Sequence, residues 1–117
     1  SRGLGDVYKR QLEDIWTHSN VQKLTDKTIT DLEELRSQLV EVRANGYAIE
    51  NGEYKIGLRS VSAPVYTVEG KAAYAVGVIG MFRSPHSEEF RAAVEQVCVT
   101  ASMISTALGY RKQEETL

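Results

Sequence analysis

At 117 residues, with 42% apolar and 26% charged side chains, the chain has the composition of one globular domain, and at that size it buries only about two thirds of its unfolded surface, so losing one strand leaves it marginal. The formal net charge is −2 with no stripe of Lys or Arg, which removes the electrostatic footprint of a nucleic-acid binder. No run approaches the roughly 18 apolar residues of a membrane span, the start lacks the apolar centre of a signal peptide, and the single cysteine, Cys98, fits a reducing, cytoplasmic compartment.

Ser1–Gln11 (SRGLGDVYKRQ) has neither a helical nor an alternating period and joins a well-patterned region without a turn signal. It is similar to a leader that recurs before unrelated sequence fragments and is set apart as non-native, leaving residues 12–117 as the domain. Without its three basic residues and one acidic residue the remainder holds 11 basic and 15 acidic residues, a net charge of −4. Leu12, Ile15 and Trp16 share one helical face and predict a short helix. Thr30 stands three residues before Glu33, a capping-box spacing, and Leu32, Leu35, Leu39 and Val42 line one face, so a helix is expected over Asp31–Ala44, ended by Asn45-Gly46.

Tyr47–Glu50 reads as a brief strand closed by the turn dipeptide Asn51-Gly52. Leu58–Tyr66 and Ala72–Gly80, separated by Val68–Lys71, read as a hairpin. AAYAVGVIG is apolar on both faces, which predicts a central strand covered on both sides, and Pro64 leaves its strand without one amide donor. Ser84-Pro85 is a helix-start signal, and Phe90, Val94, Val97, Ala101, Ile104 and Leu108 extend an amphipathic helix to Gly109, with a polar, frayed tail after Tyr110. The order is α, α, β, β, β, α, an α+β fold with helices flanking an antiparallel sheet.

Little in the chain speaks for catalysis. His18, His86 and Cys98 are scattered, without CxxC or HExxH spacing, so no metal is expected; the histidines read as solvated and Cys98 as a buried small hydrophobe. Ser60 and Ser62 lack a GxSxG elbow, and Gly77 and Gly80 form no phosphate-binding loop. Glu50 and Glu53 have the spacing of an acid–base pair, or of two solvated carboxylates flanking a turn. Arg59 is placed to pair with Glu50, Glu53 or a ligand carboxylate, or to sit exposed at a strand end.

An ordered series of short motifs carries a family likeness: Thr28–Leu32 (TITDL), Arg43–Ala48 (RANGYA), the acidic turn with Glu50 and Glu53, Gly57 and Arg59, Ala63–Val65 (APV) and Gly77–Gly80. Together they resemble the effector-binding domain of IclR-type transcriptional regulators, over about Leu12–Gly109. The resemblance implies a GAF-like α+β sensor whose first strands, and the winged helix-turn-helix that reads DNA, lie outside this chain. It places the effector pocket at Glu50, Ser60, Gly77 and Ile79. Cysteine is frequent in the family where Ser60 stands, and small hydroxyl residues where Gly77 and Ile79 stand, so this pocket is expected to be more apolar or roomier; Gly77 and Ile79 equally fit packing roles. The implied ligand is a small carboxylate or aromatic metabolite, with no cofactor, no catalytic residue and a dimeric or tetrameric assembly. The rival expectation is an oligomerisation module built on the second face of the last helix, with Ala93, Val99, Met103 and Ala107.

Overall fold

The computed structural model describes residues 2–112 of the chain, with side chains from residue 9 onward. In chain order the elements are α1 (Arg2–His18), α2 (Leu32–Asn45), β1 (Ala48–Asn51), β2 (Arg59–Tyr66), β3 (Ala72–Gly80) and α3 (Glu88–Ala107). The strands form one antiparallel sheet in the order β1-β2-β3. Helix and strand types follow the expected α+β pattern; most of the differences lie at element ends and in which strand is central.

Helix α1 starts ten residues earlier than its apolar pattern indicates, at Arg2. No proline interrupts residues 2–18, so the helical ladder continues upstream of Leu12. The α2 cap is Asp31 rather than Thr30: its carboxylate accepts the Glu34 amide at 3.2 Å, moving the D-x-x-E box one residue downstream. Gly46, at φ 82°, ends this helix by donating its amide to the Val42 carbonyl at 2.8 Å. The Ser84-Pro85 signal makes a turn instead of a helix start. Ser87 Oγ donates to the Ser84 carbonyl and accepts the Phe90 amide at 3.3 Å, so Ser87 is the true cap of α3. At the far end Tyr110 donates to the Ser105 carbonyl and Gly109, at φ 93°, to that of Thr106, a Schellman closure. Residues 113–117 of the expected frayed tail lie outside the described residues.

The core is the contact between β2 and α3. Val61, Ala63 and Val65 alternate along one face of β2 and meet Phe90, Val97 and Ala101 on α3. Ser105 is also buried, in the α3 stripe beside Ala101, while Ile104 and Leu108 stay substantially exposed. Its hydroxyl donates to the Ala101 carbonyl at 2.8 Å and accepts the Tyr66 amide at 2.9 Å, tying the end of β2 to the helix. Tyr66 then stacks on Tyr110, ring centroids 4.8 Å apart. Cys98 is half-buried against this core.

The apolar strand β3 is not central. Among the described residues it is an edge strand, and Tyr74 and Ile79 are 64% and 63% exposed on its two faces. The apolar run reports which faces want cover, not how many strands are present to give it. Strand β2 is central instead, and Pro64 is accommodated because the pairing with β1 stops at Ala48 opposite Ser62, leaving Pro64 opposite Ala75 alone. No α2 residue is fully buried, and α1 is tethered to α2 by the Arg36–Glu13 ion pair at 2.5 Å. The radius of gyration, 15.8 Å, exceeds the roughly 13 Å of a compact chain this long, as expected when two helices stand off the core.

Truncating Phe90 to alanine is expected to cost about 3–5 kcal/mol in urea unfolding, since the ring is fully buried between β2 and Phe82. Ser105→Ala removes the acceptor of the Tyr66 amide and is expected to cost about 1–3 kcal/mol by the same measurement.

Candidate functional site

Between β1 and β2 the chain makes a tight excursion over residues 52–58. Gly52 is buried at φ 69°, a conformation that favours glycine, and its amide donates to the Leu58 carbonyl at 2.9 Å. A clasp from residues 24–28 holds the excursion. The Thr25 hydroxyl donates to the Gly52 carbonyl at 2.5 Å and the Thr28 hydroxyl to that of Glu53, while Thr28 Oγ1 accepts the Thr25 amide at 2.9 Å. From the sheet side, Glu50 Oε1 accepts the amides of Glu53 at 2.6 Å and Tyr54 at 3.1 Å. Glu50 Oε2 accepts the Ser60 hydroxyl at 3.3 Å. The roles of Thr25 and Thr28 were missed in the sequence because they act across 25 residues or more; the TITDL motif, which contains Thr28, was the available signal.

Register decides which side chains share a face. Glu50 pairs with Ser60 and Ser60 with Ile79; one row on, Ala48 pairs with Ser62 and Ser62 with Gly77. With two-residue alternation, all four residues expected at the pocket therefore lie together on the face of the sheet opposite α3. Ile79 presents its side chain there, and the Ser60 hydroxyl is oriented by Glu50. Gly77 has a packing reason to be glycine: a Cβ would lie 2.8 Å from the Val61 carbonyl oxygen and 3.1 Å from Ser62 Cβ.

Arg59 faces the other way. It shares the parity of Val61, and its guanidinium donates to the Phe82 carbonyl at 2.7 Å, so it braces the exit of β3 and forms no ion pair with Glu50 or Glu53. The two glutamates are close enough to interact. Burial, first, and then the charges of Glu50 and Glu34 hold the Glu53 carboxyl above the ordinary glutamate value of 4.5, against a hydrogen bond from the Asn51 backbone that lowers it.

On the same face a cavity of about 450 Å³ opens between Val42 of α2 and the sheet, lined by Ala48, Ser62, Pro64 and Ala75 among others. It lies one row from Glu50, Ser60 and Ile79. A larger depression, about 650 Å³, sits at the start of α3 between Met81 and Glu89, and neither hollow is lined by any of the four. His18 and His86 are exposed, and among the described residues no three His, Cys, Asp or Glu side chains converge as metal ligands.

The family described as bacterial transcriptional regulator IclR, C-terminal, matches residues 7–106. The chain belongs to the IclR family. Among curated IclR-family relatives it is 34% identical over 105 residues to the HTH-type transcriptional repressor AllR of Klebsiella pneumoniae, covering 90% of this chain and 39% of that protein. It is 32% identical over 104 residues to the regulator BhcR of Paracoccus denitrificans, covering 89% and 36%. The chain thus spans about two fifths of the length of these relatives. Its fold matches the C-terminal domain of the Escherichia coli IclR-family regulator KdgR with a TM-score of 0.78 at 26% identity, covering 87% of this chain and 62% of that one. No described helix is long and apolar enough to cross a membrane.

Because the folded state binds the Glu53 proton more tightly than the unfolded state, Glu53 leaves stability unaffected below about pH 4 and lowers it as pH rises through the raised folded value. Glu53→Gln should therefore raise the thermal midpoint at pH 7, with the gain vanishing near pH 4 in parallel melts. Gly77→Ala is expected to cost about 1–3 kcal/mol by urea unfolding as β2 and β3 are forced apart.

Proposed function

We propose that this chain is the ligand-sensing portion of a cytoplasmic IclR-type regulator, in which a small organic metabolite on the open sheet face alters operator binding by an N-terminal winged helix-turn-helix. The observation that carries the reading is the convergence of Glu50, Ser60, Gly77 and Ile79 on one uncovered face, beside a cavity large enough for a metabolite. The chain itself performs no chemistry on the ligand. A metabolite that binds one arrangement of a homo-oligomer more tightly than another shifts that equilibrium by its differential affinity, and the DNA-binding heads follow.

A second reading rests on α3. Met103 is 67% and Val99 48% exposed on its outer side, and Ala107 is exposed with them, while Ala93 turns inward to the core. That outer stripe fits a helix-to-helix contact between copies, and both readings hold together in an oligomeric sensor.

Calorimetry of the intact regulator with a panel of small organic metabolites is expected to find a ligand whose affinity falls about tenfold or more in Ile79→Asp and measurably in Ser60→Ala. Unchanged affinity in both variants refutes the site. For the second reading, light scattering of Met103→Glu should show a smaller assembly; an unchanged mass refutes it.

A further inference from the structure

Glu50 does not hold the 52–58 turn alone. Resting on the sensing role above, we infer that Thr25 and Thr28 are positioning residues for the open sheet face. Each holds, by its carbonyl, a peptide group whose N–H is held by Glu50, so a change at the Glu50 carboxylate passes through two peptide planes into the link between α1 and α2.

The two peptide groups are consecutive. In the first, the Gly52 carbonyl accepts the Thr25 hydroxyl at 2.5 Å and the Glu53 N–H donates to Glu50 Oε1 at 2.6 Å. In the second, the Glu53 carbonyl accepts the Thr28 hydroxyl and the Tyr54 N–H donates to the same Oε1 at 3.1 Å. A trans peptide group is planar, with its C=O and N–H on opposite edges. The threonines and Glu50 therefore grip the same two planes from opposite sides. Donation to a carbonyl polarises the group and makes its N–H a better donor, so each bond strengthens the one across the plane. Turning either plane away from Glu50 takes its carbonyl away from its threonine as well.

The threonine end is equally determined. Thr28 Oγ1 accepts the amides of Leu24 and Thr25, at 3.1 and 2.9 Å, and Thr25 Oγ1 accepts that of Lys27 at 3.0 Å. Those N–H groups use oxygen lone pairs, and the hydroxyl protons go to the turn. The Lys27 stem lies against the same turn, its Cδ 3.5 Å from where a Cβ on Gly52 would stand. Residues 20–31 form neither helix nor strand, none of them is fully buried, and Val21 and Leu24 are exposed. Apolar burial thus does little to seat this link, and the bonds from Thr25 and Thr28 tie it to the sheet. Among the described residues no hydrogen bond or ion pair runs directly from Glu50 to the link. What joins them is the pair of peptide groups. A ligand that draws the Glu50 carboxylate to itself loosens the link, and with it the seating of α2, which has no fully buried residue.

Hydrogen exchange of the intact regulator, followed by mass spectrometry on peptides spanning residues 20–31 and 61–66, tests the route. Glu50→Ala is expected to speed exchange in 20–31 at least about tenfold and to leave 61–66 near its parent rate. In a Thr25→Val/Thr28→Val background, where the planes are already released, the same change should add less than about twofold, the non-additivity of a shared path. Thr25→Ser/Thr28→Ser keeps both hydroxyls and should restore the full response. Unchanged exchange at 20–31 in Glu50→Ala, or an equal effect of Glu50→Ala in the parent and valine backgrounds, overturns the inference. If Glu50→Ala also loosens 61–66, Glu50→Gln decides, because it keeps a weaker acceptor oxygen in place. Exchange at least about threefold faster and confined to 20–31 then supports the route, and no selective change overturns it. Failure of the route leaves the sensing role standing, since that role is tested separately by ligand calorimetry.

Discussion

Everything in this chain hangs on the two-residue alternation of β2. Its odd positions, Val61, Ala63 and Val65, give α3 a surface to bury, and its even positions, Ser60 and Ser62, are thereby sent to the opposite face. A slip of one residue would bury the serines under Phe90 and expose the valines, so core and site cannot be specified separately. The buried Phe90 and the hydroxyl of Ser105, which accepts the Tyr66 amide, hold that register at the two ends of the helix. The site is positioned by a core to which it contributes no atom.

A second level of order is polar. The 52–58 excursion leaves its apolar side chains Tyr54 and Ile56 exposed, and its shape is maintained by hydrogen bonds from three directions: its own Gly52–Leu58 closure, the threonines at 25 and 28, and Glu50. Such an arrangement fixes Glu50 before any ligand arrives, and through Glu50 the hydroxyl of Ser60. One consequence is electrostatic. Burying Glu53 in the turn, and secondarily setting it near Glu50 and Glu34, raises its proton affinity, a cost that comes with the loop's geometry.

Much of this was legible in the sequence, and the misses share a cause. Element types came out of apolar periodicity, and the αL residues Gly46 and Gly109 marked helix ends correctly, because these are local effects. Caps were harder: Thr30 beside Asp31, and Ser84 beside Ser87, are competing cap residues a few positions apart, and the winner depends on where the helix is held by the sheet. The buried Ser105 was invisible in a hydrophobic pattern, since its role is to accept an amide from another element. Among the described residues β3 lies at an edge although its composition reads as central, because composition records the burial a strand requires and not its neighbours. The likeness to IclR sensors pointed to Glu50, Ser60, Gly77 and Ile79; that the first two bond to each other, and that Gly77 is needed for close approach to β2, required the register.

The free edge of β3 has a mechanical meaning. Nine residues, Ala72–Gly80, run without a charge or a proline, and among the described residues no strand pairs with their outer side. Main-chain groups inside a ladder open less readily than those at a margin, so β2, paired on both sides, is the firmer support for the open face. Any extended backbone laid along it would gain main-chain bonds without disturbing the β1–β2 pairing, and would stiffen Ile79 from its far side. One strand, β3, thus carries both the unpaired margin and, at Gly77 and Ile79, part of the open face.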